Sequence, residues 1–393
     1  MLTETPPPPA PGRPPLSPAA EDLADWARRT IGDLDTLLAD LDTRPATVIP
    51  PPARVRALVG TAHLFGDQRP AELDAAMERE RQELLGFARQ AVAALKRGGG
   101  VRVPLTAQEQ LGAAAILTFV TRPALRVSGD DFVEPPPSWQ DDLERRRKLI
   151  RRTLPAVGRI EVQGHPQGAP WVGTGWVAAP GLLMTNRHVV KEFAQPVSPA
   201  PGETRWRIKP GMSARIDFGE EWTGAPATGE QRTYAIPDAA QVRVHPEHDL
   251  ALVPVAATAQ GSERRPLPAP LTIAGTDTAV TEGLKVYCVG YPARDEGNRE
   301  LAAMYRLFDA IFDVKRLQPG QVMQVLPASD TLLHDCSTLG GNSGSCVLDL
   351  RTNQVLGLHY AGFHRHANLA IGLWRLAADP LLREAGVRFA GLA

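Results

Sequence analysis

The segment from Gly340 to Ser345, which reads Gly-Gly-Asn-Ser-Gly-Ser, constrains this chain more than any other stretch. Two glycines before Ser343 and one after it predict a tight turn that leaves the serine hydroxyl uncrowded. A serine hydroxyl is a weak nucleophile at its ordinary pKa, so it needs a neighbouring base and a carboxylate that orients this base. The segment therefore predicts a nucleophile's loop only if both groups occur elsewhere in the chain.

Candidates for both groups occur upstream. His188 follows the apolar segment 181–185, and Asp249 precedes the apolar run Leu-Ala-Leu-Val. Asp249 follows His188 by 61 residues, and Ser343 follows Asp249 by 94. The chain order His, Asp, Ser is that of the chymotrypsin-type barrels, and it differs from the order in subtilisin and in the α/β-hydrolases.

Three short motifs resemble those of the trypsin-like serine peptidases. Residues 185–188 match Thr-x-x-His, residues 249–252 match Asp-Leu-Ala-Leu, and residues 341–344 match Gly-Asn-Ser-Gly. The resemblance runs from about Val157 to about Leu382, and within the family it points to the bacterial glutamyl endopeptidases. It implies a chymotrypsin-like fold of two six-stranded β-barrels, with the active site in the cleft between them.

The resemblance implies a role for each residue of the three motifs. Ser343 is expected to attack a peptide carbonyl, His188 to take its proton, and Asp249 to hold the imidazole in the useful tautomer. The backbone N–H groups of Gly341 and Ser343 match the oxyanion hole of the family, and no cofactor is expected. The alternative is a turn serine, a buried polar histidine and a strand cap, in a catalytically silent scaffold or peptide-binding module.

A second set of residues concerns substrate choice. Thr338 and His359 match the threonine and histidine of the first specificity pocket in bacterial glutamyl endopeptidases, and Tyr360 and Gly362 extend the segment of His359. A hydroxyl and an imidazole can together bind a carboxylate or carboxamide, so cleavage is predicted after Glu, or else after Asp or Gln. Position 337, which is acidic in trypsin, is Ser337. Alternatively, His359 is a core histidine bound to a backbone carbonyl.

Asn342 departs from the pattern of the digestive members, where an aspartate before the nucleophile pairs with a new N-terminal amine after zymogen cleavage. An amide cannot form this ion pair. The bond between Arg159 and Ile160 resembles an activation site, yet its cleavage is not expected to switch the enzyme on. Control is expected from the N-terminal region, from a partner or from mobile loops.

The other histidines and the cysteines favour no metal site. His245 and His248 flank Asp249 and are interpreted as surface loop residues. The spacing of His359, His364 and His366 is equally met by a hairpin turn. The three cysteines are too few for a secreted disulfide framework, so they are interpreted as reduced thiols, and the resemblance implies that two of them lie on neighbouring strands: Cys288 and Cys346.

The chain length of 393 residues predicts two or three folding units. Residues 1–16 are rich in proline and predict an extended tail. In residues 17–153, the apolar spacing and the capping signals predict helices over 17–42, 70–98, 106–122 and 138–154. This region is expected to be a regulatory or recruiting module. Residues 154–393 show short apolar segments between Gly and Pro, typical of an all-β domain, followed by a closing helix over 373–385.

Composition limits the expected partners. The net charge of −1 gives no reason to expect nucleic acid or an acidic membrane. No apolar run reaches the roughly 18 to 20 residues that span a bilayer, and residues 1–15 lack the apolar core of a secretory signal, so a bacterial cytoplasmic protein is expected.

The expected partners are a protein or peptide substrate and an activator or recruiting protein at residues 17–153. A basic run is interpreted as a solvated helix face, the alternative being an acidic or nucleic-acid partner: Arg145, Arg146, Arg147, Lys148, Arg151 and Arg152.

Overall fold

The computed structural model describes residues 122–391, with gaps at 134, 199, 201, 223–231, 238–240, 262–263, 277, 295–306, 310 and 364–366. It also describes residues 86–87, 89–90 and 93, which are helical and fall within the second predicted helix. The proline-rich tail and the other predicted helices before residue 122 lie outside the described residues. No helix in the described ranges combines the length and apolar character needed to cross a membrane.

The described region begins with a hairpin and a helix, and then enters a nine-stranded antiparallel sheet. The hairpin consists of β1 (Leu125–Ser128) and β2 (Asp131–Phe132), and the helix is α1 (Pro137–Thr153). A second helix, α2 (Arg187–Phe193), follows the third strand of the sheet. The strands of this first sheet are β3 (Val157–Gln163), β4 (Trp171–Ala179), β5 (Leu182–Thr185), β6 (Ala194–Pro196), β7 (Arg205–Ile208), β8 (Ser213–Asp217), β9 (Thr233–Ile236), β10 (Val242–Val244) and β11 (Ala251–Pro254).

Six strands of the first sheet lie in the order β11-β5-β4-β3-β8-β9. The chain after β11 returns to β9, where the Ala256 N–H donates to the Ala235 carbonyl at 2.9 Å and the Gln260 N–H donates to the Thr233 carbonyl at 2.8 Å. Register shifts interrupt the pairing of β3 with β4 and of β4 with β5. Such bulges bend strands, and the two bonds then join the edges of the six-strand group.

The second sheet closes into a six-stranded barrel. Its strands lie in the order β12-β15-β16-β17-β14-β13, and pairing of β12 with β13 completes the ring. The mainly β fold predicted for residues 154–393 is confirmed. The strands of the barrel are β12 (Lys285–Gly290), β13 (Arg316–Leu326), β14 (Thr331–His334), β15 (Cys346–Asp349), β16 (Val355–Phe363) and β17 (Ala367–Gly372).

The N-terminal hairpin extends this barrel. Leu125 of β1 pairs with Leu317 of β13, although β1 precedes the domain boundary expected after residue 153. The hairpin was not predicted from the sequence. Its signal is the alternation of buried Leu125 and Val127 with polar residues, followed by a turn at Gly129 and Asp130 with φ of 62° and 57°.

Helix α1 confirms the helix predicted over 138–154. Its buried residues Trp139, Leu143 and Ile150 face the barrels, because their spacing places them on one side of the helix. At its end, the Leu154 carbonyl accepts a hydrogen bond from the fully buried Lys315 ammonium at 2.9 Å. Acidic neighbours pair with part of the basic run: Arg147 with Glu144 and Asp131, Arg151 with Asp131, and Arg145 with Asp141.

The closing helix predicted over 373–385 is interrupted. The structure has a 3-10 turn at Leu373–Leu376 and then a short helix, α3 (Pro380–Glu384). Asp379 caps α3, since its carboxylate accepts the Leu382 N–H at 3.0 Å, and Pro380 lacks the N–H that a continuous helix would need there.

Candidate active site

His188 and Asp249 are brought together by the pairing of β5 with β11. Thr185 at the end of β5 lies opposite Ala251 at the start of β11, so the residues just beyond them leave the sheet at the same edge. His188 Nδ1 lies 2.5 Å from Asp249 Oδ2, and the His188 backbone N–H donates to Asp249 Oδ1 at 2.9 Å. Asn186 at the N-cap of α2 donates its side-chain amide to the Asp249 carbonyl at 2.9 Å. Both oxygens of the carboxylate are therefore bound to one histidine.

The charge of Asp249 is stabilised by these bonds. Burial raises the pKa of Asp249, but the hydrogen bonds and charge of His188 outweigh burial, and the pKa lies below its ordinary value. An ionised carboxylate only accepts hydrogen bonds, so Nδ1 of His188 is the donor. With Nδ1 as the donor, Nε2 is the acceptor whenever the ring is uncharged, and the side chain is 43% exposed.

The segment 340–345 lies between the two sheets. On one side, the Thr174 N–H of β4 donates to the Ser343 carbonyl at 2.9 Å, and the Thr174 hydroxyl donates to the Gly341 carbonyl at 2.8 Å. On the other side, the Gly344 N–H donates to the carbonyl of His359 in β16 at 2.9 Å. The loop therefore bridges the first sheet and the barrel.

Ser343 and α2 meet at Gly173. A Cβ added to Gly173 would lie 2.8 Å from a Val189 methyl and 3.1 Å from the Ser343 carbonyl oxygen, and Val189 directly follows His188. The structure thus brings the serine loop and the start of α2 to the same glycine. Among the described hydrogen bonds, none joins the Ser343 hydroxyl to the His188 ring. In unliganded enzymes this bond is often long and tightens with substrate.

The two backbone N–H groups expected to form the oxyanion hole, those of Gly341 and Ser343, make no hydrogen bond within the described part of the chain. Gly341 has a φ of 82°, and an added Cβ would lie 2.3 Å from the Trp171 ring and 2.5 Å from the Tyr291 carbonyl oxygen. This position requires glycine for both reasons.

Two of the residues expected to bind the substrate side chain, Thr338 and Gly362, lie against an asparagine that the sequence did not indicate. Asn368 Oδ1 accepts the Thr338 hydroxyl at 2.6 Å, and a Cβ added to Gly362 would lie 2.6 Å from the same oxygen. Tyr360 is half-buried and packs against the core. Asn368 belongs to β17, and only the pairing of β17 with β16 brings it beside Gly362.

His359 is 2% exposed and lies against a second buried histidine, His334, with His334 Nε2 3.3 Å from His359 Nδ1. Burial lowers the pKa of His334 to about 3. Burial also lowers the pKa of His359 well below its ordinary value, and His334 and His188 lower it further. Both rings are therefore neutral at pH 7.

The proton positions in this pair follow from the partners. His334 Nδ1 is buried, and no group in the described part of the chain forms a hydrogen bond with it. A buried orphan N–H is rarer than an orphan acceptor, so the favoured arrangement has the His334 proton on Nε2, donated to His359 Nδ1. His359 then bears its own proton on Nε2, as a donor. His334 was not indicated by sequence, because it lies on β14 and reaches His359 only through the barrel.

The structure corrects the interpretation of His245 as a surface residue. His245 is 4% exposed and not a surface residue, because its ring binds Asp379. His248 is half-buried, with Nε2 3.7 Å from Asp330. His364 and His366 lie outside the described residues.

The three cysteines are free and buried. Cys288 lies opposite Val347 in the strand pairing, and Cys346 lies opposite Val289. The two cysteines lie on neighbouring strands, as the resemblance implied. Because they are offset by one residue, however, their side chains point to opposite faces of the sheet.

Within the described ranges, one group of acids is close enough to hold a cation: Glu161, Asp217 and Glu220. Two arginines already pair with it, Arg159 with Glu161 and Glu220 and Arg215 with Glu161.

The bond between Arg159 and Ile160 lies inside β3, which pairs with β4 and β8 on its two sides.

Replacing Gly344 by Ala is expected to lower the free energy of unfolding by roughly 2–5 kcal/mol, from backbone strain and overpacking. Gly344 has a φ of 89°, and a Cβ would lie 2.0 Å from the Thr174 carbonyl oxygen and 2.4 Å from the Thr185 hydroxyl. Gly340→Ala is the matched control, since a Cβ there meets nothing within 4 Å. Chemical denaturation of both variants measures the difference, and equal unfolding curves would refute this account of the loop.

Comparison with known proteins agrees with this geometry. Residues 173–358 match the family model described as a trypsin-like peptidase domain. The chain is 29% identical over 218 residues to the glutamyl endopeptidase of Staphylococcus epidermidis, covering 55% of this chain and 62% of the relative. It is 28% identical over 216 residues to the glutamyl endopeptidase of Staphylococcus aureus, and this match covers 55% of this chain and 54% of the relative. The chain thus spans little more than half the length of these relatives.

Among solved structures, the chain is similar to the serine endoprotease from Yersinia pestis. The identity is 16%, with 61% of this chain and 66% of that chain covered, at a TM-score of 0.38. A structural likeness at this score is too weak to indicate a family. The similarity to trypsin-like peptidases rests on the sequence match, with which the two barrels agree. Over residues 173–358, somewhat less than half of its length, the chain is similar to the trypsin-like peptidase domain family.

Proposed function

We propose that the chain is a serine endopeptidase that hydrolyses peptide bonds through His188, Asp249 and Ser343. The observation that supports this most is the double attachment of His188 to the Asp249 carboxylate, by ring and by backbone. It fixes Nδ1 as the donor, so that Nε2 is the nitrogen able to accept a proton. A general base needs this tautomer.

In this mechanism, His188 Nε2 accepts the Ser343 proton as Oγ bonds to the scissile carbonyl carbon. Asp249 stabilises the imidazolium that forms without taking its proton. The Gly341 and Ser343 N–H groups, free of other partners, donate to the oxyanion. His188 then protonates the leaving amine, and the acyl-enzyme is hydrolysed by a water activated in the same way.

The test uses the purified full chain with a fluorophosphonate probe and a mixed peptide library, both analysed by mass spectrometry. Labelling at Ser343 with defined cut sites is expected for the wild type, and neither for Ser343→Ala. Asp249→Asn is expected to lower kcat by roughly four orders of magnitude, because the imidazole then takes the wrong tautomer. A well-folded wild type that neither labels nor cuts would instead support the silent scaffold.

We further propose that the enzyme cuts after Glu, or else after Asp or Gln. The neutral pair of His334 and His359 supports this, since it leaves the His359 Nε2–H to donate to the side-chain oxygen of the substrate. The Thr338 hydroxyl and Asn368 lie beside Gly362 on the same side of the barrel. The relatives named glutamyl endopeptidase agree with this choice.

His359→Ala is expected to lower kcat/KM for Glu peptides by roughly 10- to 100-fold, the value of a hydrogen bond to a charged group. A small active-site titrant that lacks a side chain for the pocket should still acylate Ser343 at a rate near that of the wild type. The measurement is the ratio of kcat/KM for the Glu peptide to the rate at which the titrant acylates Ser343. Equal losses of both would show that His359 supports the loop and does not select the substrate.

We also propose that the N-terminal region regulates the pocket, either directly or through an activator or recruiting protein at residues 17–153. The segment before β1 contacts the residues that directly precede Thr338. The Ser337 hydroxyl donates to the Arg122 carbonyl at 2.6 Å, and the Arg122 guanidinium pairs with Asp335. The Ala124 carbonyl accepts a bond from the fully buried Arg316 at 2.9 Å.

Arg122→Ala in the full chain is expected to raise KM for Glu peptides severalfold, because Asp335 loses its guanidinium partner and the segment from Asp335 to Thr338 is held less firmly. The rate of fluorophosphonate labelling should change little, since the probe does not use this pocket. Steady-state kinetics and labelling rates provide the comparison. An unchanged KM would argue against regulation through this segment.

A further inference from the structure

The ring of His245 organises the loop that ends at Asp249. His245 Nδ1 accepts the backbone N–H of Glu247 at 3.1 Å and of His248 at 2.9 Å, and Nε2 lies 3.0 Å from Asp379 Oδ2. Two N–H groups directed at Nδ1 require this nitrogen to be unprotonated. The ring proton is therefore on Nε2, where it is donated to Asp379.

Asp379 links this loop to the C-terminal helix. One carboxylate oxygen accepts the Leu382 N–H as the cap of α3, and the other binds His245. Leu382 is fully buried, so α3 is anchored in the core. The other charged groups near His245 are Glu247, Asp330 beside His248, and Arg187.

The backbone of His245 also contacts both halves of the pair of His188 and Asp249. Its carbonyl accepts the Arg187 guanidinium at 3.1 Å, and Arg187 directly precedes His188. Its N–H donates to the carbonyl of Leu250, which directly follows Asp249, at 2.8 Å. A shift of His245 therefore moves the segments that hold both members of the pair.

We propose that His245 is a positioning residue for the pair of His188 and Asp249, and that Asp379 holds its ring in place. The turn at residues 247 and 248, shaped around Nδ1, sets where the Asp249 carboxylate points. The bond to Asp379 ties this turn to α3. The consequence for reaction rate rests on the proposed function, but the effect on the bond between His188 and Asp249 does not.

Three substitutions separate the contacts of His245. His245→Asn keeps an acceptor that can bind the N–H of residue 247 as in an Asx-turn, but the side chain is too short to reach Asp379. His245→Gln keeps a donor that reaches toward Asp379 and loses the acceptor of the turn. Asp379→Ser keeps a cap for α3 and removes the partner of the ring.

The first measurement is the downfield proton resonance of His188 Nδ1–H in the full chain labelled with ¹⁵N-histidine, assigned by its loss in His188→Gln. The resonance is expected to move upfield or broaden by exchange in all three variants, and most in His245→Gln. The double variant His245→Asn with Asp379→Ser should match its two single variants, because both changes break the same bond between His245 and Asp379. A wild-type resonance in all three single variants would overturn the proposal.

The second measurement is kcat and KM for a Glu peptide. We expect kcat to fall by roughly 10- to 100-fold with KM nearly unchanged, the effect of a small misplacement of catalytic groups. A merely structural His245 would lower the melting temperature and leave kcat and the resonance unchanged. If the wild type fails to acylate Ser343, the proposed function fails, and the resonance alone still decides the role of His245.

Discussion

The pairing of Thr185 with Ala251 is the constraint on which the candidate site depends. It sets the edge at which β5 and β11 end, and so brings His188 within 2.5 Å of a carboxylate 61 residues further along the chain. A slip of one residue would turn every side chain of β11 to the opposite face. Residues on both faces of β11 are buried, so such a slip would force Leu252 and Val253 to exchange two packed environments.

The loop of Ser343 depends on both sheets at once. Thr174 of β4 binds its carbonyl groups from one side, and the His359 carbonyl of β16 holds Gly344 from the other. Gly341 and Gly344 have positive φ values and no room for a Cβ, which allows the loop to lie this close to both sheets. The position of Ser343 therefore depends on contacts with both sheets.

The residues proposed to bind the substrate side chain are polar but uncharged. Burial keeps His334 and His359 neutral, so a substrate carboxylate would be bound by hydrogen bonds more than by a full opposite charge. The proposed site would be selective, because an apolar side chain would leave the buried donor unpaired. The contacts of Arg122 with Ser337 and of Ala124 with Arg316 join the segment before β1 to the barrel.

The sequence by itself determined the mainly β domain, helix α1 and the residues His188, Asp249 and Ser343, because alternating apolar segments and short motifs are local patterns. Only the tertiary structure decided the partners of these residues. The hairpin of β1 and β2, Asn368 and His334 come from strands distant in sequence, and their contacts arise from strand order and register. His245 shows the same limit: its spacing suggested a surface loop, but Asp379, 134 residues later, buries it. A residue's local pattern reflects its own strand or turn, whereas its burial and hydrogen bonds depend on segments that only folding brings beside it.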